Sequence, residues 1–164
     1  MAEIINNYLS PTNFTISISR LPNVEFFTQK LTIPSVTGTA VAIDTPTKAF
    51  YAQQDKLQYS DLELGFIVDE SMNNYKEILN WMEGIAFPEE SKQYKDLVGS
   101  NDGIESDIIA TVTNSHKNPN IRFVFKNCFP TSLGSISLDV NVQDISYATC
   151  NVTMRYDSFV MEQL

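Results

Sequence analysis

The side chains able to do chemistry are few and scattered. His116 is the one imidazole, and it sits in Asn114-Ser115-His116-Lys117-Asn118-Pro119-Asn120, a run of turn formers. That setting predicts an exposed turn histidine rather than a general base. The two thiols, Cys128 and Cys150, make neither a CxxC zinc site nor a disulfide framework. Cys150 falls on the apolar side of an alternating stretch, where a buried, inert thiol is expected. Six glycines form no GxGxxG or GxxxxGK[ST] phosphate cradle. The carboxylate neighbours Glu89-Glu90 and Asp69-Glu70 read as solvated charge and helix-start residues. A hydrolase would need two acids across a cleft, and Asp61 and Asp139 are the acids on which such an activity would be tested. Asn101-Asp102-Gly103-Ile104-Glu105 is a faint echo of a calcium loop, which wants alternating acidic ligands around a central glycine. No catalytic residue, metal or cofactor is assigned.

The elements that would position such groups come from a chain of 164 residues, 43% hydrophobic. That length suits one domain with a substantial core of its own. Eleven Lys and Arg against 20 Asp and Glu leave a net charge of −9, which argues against gripping nucleic-acid phosphates. No apolar run approaches the roughly 20 residues that span a bilayer, and Met1–Pro11 lacks the pattern of a secretory signal. A reduced, cytosolic chain with no membrane partner is expected.

Period-two alternation dominates. Apolar residues alternate in Phe14–Arg20, Leu62–Val68, Ile108–Val112, Ile121–Phe125, Ile136–Val142 and Ala148–Tyr156, and Val24–Ile33 is expected as a further strand. One-sided strands of this kind belong to antiparallel sheets with a dry and a wet face. If Leu138 faces Cys150 and Val140 faces Ala148, the last two strands join through a three-residue loop, Gln143-Asp144-Ile145, since a slip of one residue would exchange the faces. Tyr75, Ile78, Leu79, Met82, Ile85 and Ala86 fall at helical spacing. This spacing predicts a helix over 72–86, with Asp69, Glu70 and Ser71 supplying acid and cap chemistry and Pro88 stopping it. Residues 37–58 read as an extended arm or irregular hairpin, and 88–107 as a polar, acidic loop. The fold class is mainly β (α+β): an antiparallel β-sandwich or partial barrel with one amphipathic helix.

Two stretches carry a resemblance. The first is Asp61-Leu62-Glu63-Leu64-Gly65-Phe66-Ile67-Val68-Asp69-Glu70, followed by Tyr75, Ile78 and Trp81. The second is Asn127-Cys128-Phe129-Pro130-Thr131-Ser132-Leu133-Gly134-Ser135-Ile136-Ser137-Leu138-Asp139, with a final strand from Val152 to Phe159. In this order the chain resembles the major tail tube proteins of contractile-tailed bacteriophages, a group that includes the tube proteins of contractile injection particles and of type VI secretion. Asp61, Leu64, Asp69, Trp81, Phe129, Pro130, Thr131, Asp139 and Phe159 carry the motif. The chain departs from it at Phe129, Phe159 and near Leu62, where the family often has Trp; another apolar side chain can occupy that volume.

The resemblance implies a virion structural protein and no catalysis. Stacked homohexameric rings would join their sheets into one continuous β-barrel, which removes sheet edges, and open-ended stacking would grow a tube. The implied partners are further copies, a tail sheath protein, a baseplate or tube initiator, and a tape measure protein and DNA that pass through the bore without specific binding. Host cytoplasm is the implied place of assembly and the phage tail the final location. Glu25, Ser135, Ser137, Asp139 and Asn141 are candidates for the lumen, together with Thr149, Asn151 and Thr153. Val41, Ile43, Phe50 and Tyr51 are candidates for contact between rings. Alternatives are a baseplate-proximal initiator or injection-system tube, a small monomeric β-barrel binding an apolar or carbohydrate ligand, and an Asp/Glu enzyme.

Overall fold

The computed structural model describes residues 8–54, 56–86, 91–99, 103–141 and 146–164. In chain order these form β1 (Phe14–Ile18), α1 (Pro22–Phe27), β2 (Thr28–Thr32), β3 (Val36–Gly38), β4 (Val41–Asp44), β5 (Ala49–Ala52), β6 (Leu57–Tyr59) and β7 (Leu62–Ile67). Then come α2 (Asn73–Ala86), α3 (Ser91–Val98), β8 (Ser106–Thr113), β9 (Pro119–Leu133), β10 (Thr149–Arg155) and β11 (Ser158–Gln163). All strand pairs are antiparallel.

The 15-residue β9 organises the rest. Its first half lies between β8 and β11. Its second half, from Phe129, pairs with β10. The result is two sheets with one strand in common: β1-β8-β9-β11, and β9-β10-β7-β2. The change of sheet falls at Asn127, whose φ is 55°, a left-handed conformation that Asn tolerates better than most side chains. The bend is held on both flanks. The Asn127 N–H donates to Asp107 Oδ1 (3.0 Å), and its side-chain Nδ2 donates to Asp157 Oδ2 (2.7 Å). Asp157 in turn marks the corner from β10 to β11, its N–H donating to the Lys126 carbonyl.

The dry faces meet in one core of Ile16, Ile18, Leu62, Leu64, Phe66, Ile108, Ala110, Phe125, Val152 and Met154, joined by Ile78 and Trp81 from α2. Burial alternates strictly along β8 and β10, as period-two patterning requires. Tyr59, Phe123, Phe125, Tyr156 and Phe159 form an edge-on and tilted aromatic cluster beside the β10–β11 corner.

Several sequence expectations are corrected. Val24–Ile33 is not one strand. Its first part is α1, where Pro22 at the first helical turn favours a helix start and the Glu25 carboxylate accepts the Ile18 N–H at 2.7 Å. The helix over 73–86 is present, but its brace is Asn74, which is fully buried. Asn74 Oδ1 accepts the N–H groups of Asp69 and Tyr75, and its Nδ2 donates to the Ile67 carbonyl. Leu79 and Ala86, read as core-facing, are exposed. The polar stretch 88–107 is not a loop throughout: Ser91–Val98 is helix α3, and Leu97 packs where Gly84 of α2 offers no Cβ, with the nearest atoms 3.1 Å from where one would stand. Pro88, Glu89, Glu90, Asn101 and Asp102 lie outside the described residues.

The largest difference concerns the strand read over Ile136–Val142. Residues 134–141 form no strand. The reason is hydrogen-bonding capacity: β10 is already flanked by β7 and by β9, so neither of its edges is left for a further partner. The pairing of Leu138 with Cys150 is overturned as well. Cys150 stands opposite Phe66, and its thiol lies 3.3 Å from the Gly134 carbonyl. Val142 and the loop Gln143-Asp144-Ile145 lie outside the described residues. The final strand stops at Arg155, and a separate strand, β11, begins after the Asp157 corner.

The Asn127 bend yields a stability test. Asn127→Ala retains the Asp107 bond but places a Cβ-bearing residue in the left-handed region without the Asp157 bond, and should cost about 1–3 kcal/mol. Asn127→Gly relaxes the backbone and should recover roughly half of that loss. Urea denaturation of the three proteins checks the order.

Candidate assembly surface

The groups first considered for chemistry are dispersed or committed to the fold. His116 is exposed in a turn organised by Asn114, whose Oδ1 accepts the N–H groups of His116 and Asn118. Cys128 and Cys150 are both buried free thiols. Burial pushes the Cys128 thiol up to about 12, with the Asp107, Asp157 and Glu105 carboxylates adding to the effect, and burial also raises Cys150. These thiols are packing groups.

The motif residues serve the fold. Leu64 is core, and Trp81 is buried with its indole N–H donating to the Ile104 carbonyl at 2.8 Å. Arg20 lies over the Trp81 ring and donates to the Gly103 carbonyl. Asp69 accepts from Asn73 at the start of α2. Asp61 pairs with Arg155 on a solvent-facing surface, an arrangement worth little by itself. Pro130 is buried opposite Met154, Phe129 is half-buried, and Thr131 Oγ1 donates to the Thr153 carbonyl. Phe159 belongs to the aromatic cluster. Asp139 is exposed and accepts the Asn141 N–H.

What remains on the surface is a set of open rims. Neither β1 nor β2 is paired on its outer side, and an open cleft of about 710 Å³, lined by Phe14, Ile16, Glu25, Phe26 and Gln29 among others, lies between them. Among the described residues, β11 and the Phe129–Leu133 half of β9 are also paired on one side only. Unpaired strand edges invite pairing with another chain.

The sheet β9-β10-β7-β2 has a wet face of a particular composition. Lys30, Thr32, Glu63, Ser132, Thr149 and Asn151 are exposed on it and Thr153 is half-buried. Gly65 lies among them, and a Cβ there would come within 2.9 Å of Asn151 Oδ1 and 3.1 Å of Lys30 Cβ. The glycine keeps that face flat. Thr149, Asn151 and Thr153 are therefore on one sheet face, whereas Ser135, Ser137, Asp139 and Asn141 are on the segment beyond β9 and are not part of it. Glu25 sits apart, half-buried on α1. Lys30, Thr32 and Glu63 were not singled out by sequence; the alternation of Leu62–Val68 placed Glu63 on the wet face, but its neighbours across the sheet needed the register.

The second feature is a ribbon. β4 and β5 pair from Val41 opposite Ala52 to Asp44 opposite Ala49, and β3 and β6 pair below them. Val41 and Ile43 are exposed, with Phe50 (49%) and Tyr51 (75%). An isolated two-stranded ribbon is marginal in water, and contiguous exposed apolar groups mark a contact surface.

The family model for phage tail tube proteins matches residues 4–162, and the chain belongs to that family. It is a structural subunit of a tail tube and not an enzyme. No curated protein sequence matches it. Among solved structures, the chain is similar to one from the anti-feeding prophage cap, a tube-terminating cap, at 16% identity and a TM-score of 0.69, covering 100% of this chain and 97% of that one. A sheath–tube complex of an extracellular contractile injection system in the extended state is similar at 15% identity and a TM-score of 0.61, with 98% and 95% covered. A type six secretion system protein is similar at 8% identity and a TM-score of 0.51, with 92% and 82% covered. These likenesses establish a shared fold.

The buried thiol gives a pH test. The folded pKa of Cys128 lies above its ordinary 9.0, so its contribution is fully present below pH 9 and is lost as pH rises from 9 toward 12. Chemical denaturation across that range should show stability falling with pH, and the fall should be shallower in Cys128→Ala. Both thiols should resist a thiol reagent at pH 8 until the chain unfolds.

Proposed function

We propose that six copies form a ring by joining the sheet β9-β10-β7-β2 edge to edge, with β2 of one copy alongside Phe129–Leu133 of the next, and that its wet face lines a bore. One observation carries this reading: that sheet has two free edges, and its even number of antiparallel strands makes them run in opposite directions. The joint between copies is then antiparallel like every other pair, and the ring closes with no exposed edge in that sheet.

The lining suits a conduit. Thr32, Ser132, Thr149, Asn151 and Thr153 present hydroxyls and amides, and Glu63 is offset by Lys30 on the same face. Such a wall offers no cluster of cations to hold phosphates, so DNA and a tape measure protein pass along it without specific binding. Ser135, Ser137, Asp139 and Asn141 belong to the rim of this bore rather than to its wall, and Asp139 adds negative charge there. Glu25, at the cleft between β1 and β2, is reassigned from the lumen to the joint between copies.

The β4–β5 ribbon is the contact between rings: Val41, Ile43, Phe50 and Tyr51 bury their apolar surface on the next ring, making stacking open-ended and tube growth continuous. The outer surface, which includes the exposed side of α2, meets a tail sheath protein, and growth starts from a baseplate or initiator. The location is the phage tail, with assembly in the host cytoplasm. Since similar structures include a tube-terminating cap, a terminal or initiator ring is the second reading; a purified chain that forms single rings and never grows past them would favour it.

Electron microscopy and sedimentation test the first reading, which expects six-fold rings and tubes. Phe50→Ser with Tyr51→Ser should leave the melting temperature of the monomer nearly unchanged, since both side chains are exposed, while abolishing tubes and sparing single rings. Each ring would carry six times the −9 of one chain, so assembly should strengthen as salt screens that repulsion. Assembly that weakens steadily with salt would mean that ion pairs hold the copies together.

A further inference from the structure

Three apolar side chains stand in water away from the ribbon: Phe26 on α1 is 81% exposed, Leu138 83% and Val140 101%. The core of their own chain takes none of them, although Ile136, nearby in the same segment, packs against it. The segment Ile136–Asn141 alternates apolar and polar residues like a strand, yet has no strand partner in its own chain.

The register of the sheet says where that segment goes. The Gly134 N–H donates to the Asn151 carbonyl at 2.7 Å, Asn151 stands opposite Gly65, and Gly65 stands opposite Lys30. This row crosses the sheet from its β9 edge to its β2 edge. The chain is tied to β10 at Gly134, where a Cβ would lie 2.8 Å from the Asn151 carbonyl oxygen. Because β9 approaches the row from Phe129, the residues after Gly134 lie beyond it. Because β2 leaves the row toward Thr32, the far side of the row on that edge holds Thr28 and then α1. In a ring all copies share one height. The continuation of β9 in one copy therefore meets α1 of its neighbour. At about 3.4 Å per extended residue, Leu138 reaches roughly 14 Å past the row, and Phe26, two strand residues and then helix away, about 10 Å.

We propose that residues 137–141 of one copy pack on α1 of the next, setting Leu138 and Val140 against Phe26, so that this segment is a second part of the joint between subunits. The proposal rests on the ring reading above and adds a contact to it. The partner is another copy of this chain, and the joint is then both hydrogen-bonded, through β2 and β9, and apolar, through Phe26, Leu138 and Val140.

Cysteine pairs in the full chain test it, the native thiols being buried. Oxidation of F26C/L138C should give a ladder of disulfide-linked copies on denaturing gels, and neither single variant should. T32C/S132C, across the strand joint, reports the ring by itself. Cross-linking of T32C/S132C without cross-linking of F26C/L138C would overturn the contact and leave the ring standing; failure of both would overturn the ring and the contact together. As a second measurement, L138S/V140S should fold as well as the parent but raise the concentration for half-assembly by roughly tenfold. Adding F26S to it should raise that concentration little further, because the partners are already gone. A full additional increase from F26S would mean that Phe26 acts elsewhere.

Discussion

Everything in this fold depends on one strand serving two sheets. β9 is long enough to pair with β8 and β11 over its first half and with β10 over its second, and the transfer happens at a single left-handed residue, Asn127. Two carboxylates from opposite flanks, Asp107 and Asp157, hold it there. A straight β9 would keep all its partners in one sheet, and the dry faces would have no second layer to close on. The bend turns a flat array into a partial barrel and decides which strands finish on the outside.

That decision is also what makes the molecule a subunit. A closed barrel satisfies its backbone within one chain; this one stops short, with β1 and β2 unpaired across a cleft and one side of β11 and of the end of β9 open. The fold is therefore built at its core and unfinished at its rims. Family membership gives that incompleteness its purpose, since a tube is made by repeating one chain. The acidic balance of the chain fits the same picture: like-charged copies stay apart while dilute, and short-range edge pairing and apolar contact decide when they join.

Much of this was legible in the sequence, and the rest was hidden for physical reasons. Period-two alternation located β1, β7, β8, β10 and the start of β9, because each has one dry and one wet face. The helix over 73–86 was legible from its spacing. The Phe26-Phe27 pair and Glu25 gave no clean period, and α1 depends on Pro22 and on the Ile18–Glu25 bond, a contact between residues on two elements. Helix α3 is only eight residues, with a single buried side chain, Leu97, among its described ones, too little to stand out from a polar run. β11 was hidden because Asp157 breaks a pattern that otherwise continues from β10. Of the assembly surface, Thr149, Asn151 and Thr153 were readable as a polar face, while Lys30 and Glu63 join it only through registers set by β7.

The stretch Ile136–Asn141 carries the most general lesson. Its alternation is as regular as that of β10, and yet it forms no strand, because the edges it would need are taken. A strand pattern states a capacity to pair and says nothing about where the partner is. In a self-contained protein, such a pattern would be expected to find its partner within the chain. Here Leu138 and Val140 stay in water, at the same end of the sheet as the exposed Phe26 of α1. The mismatch between pattern and structure is thus itself a sign of assembly, since alternating residues that the monomer leaves unpaired are where the information for the next copy resides.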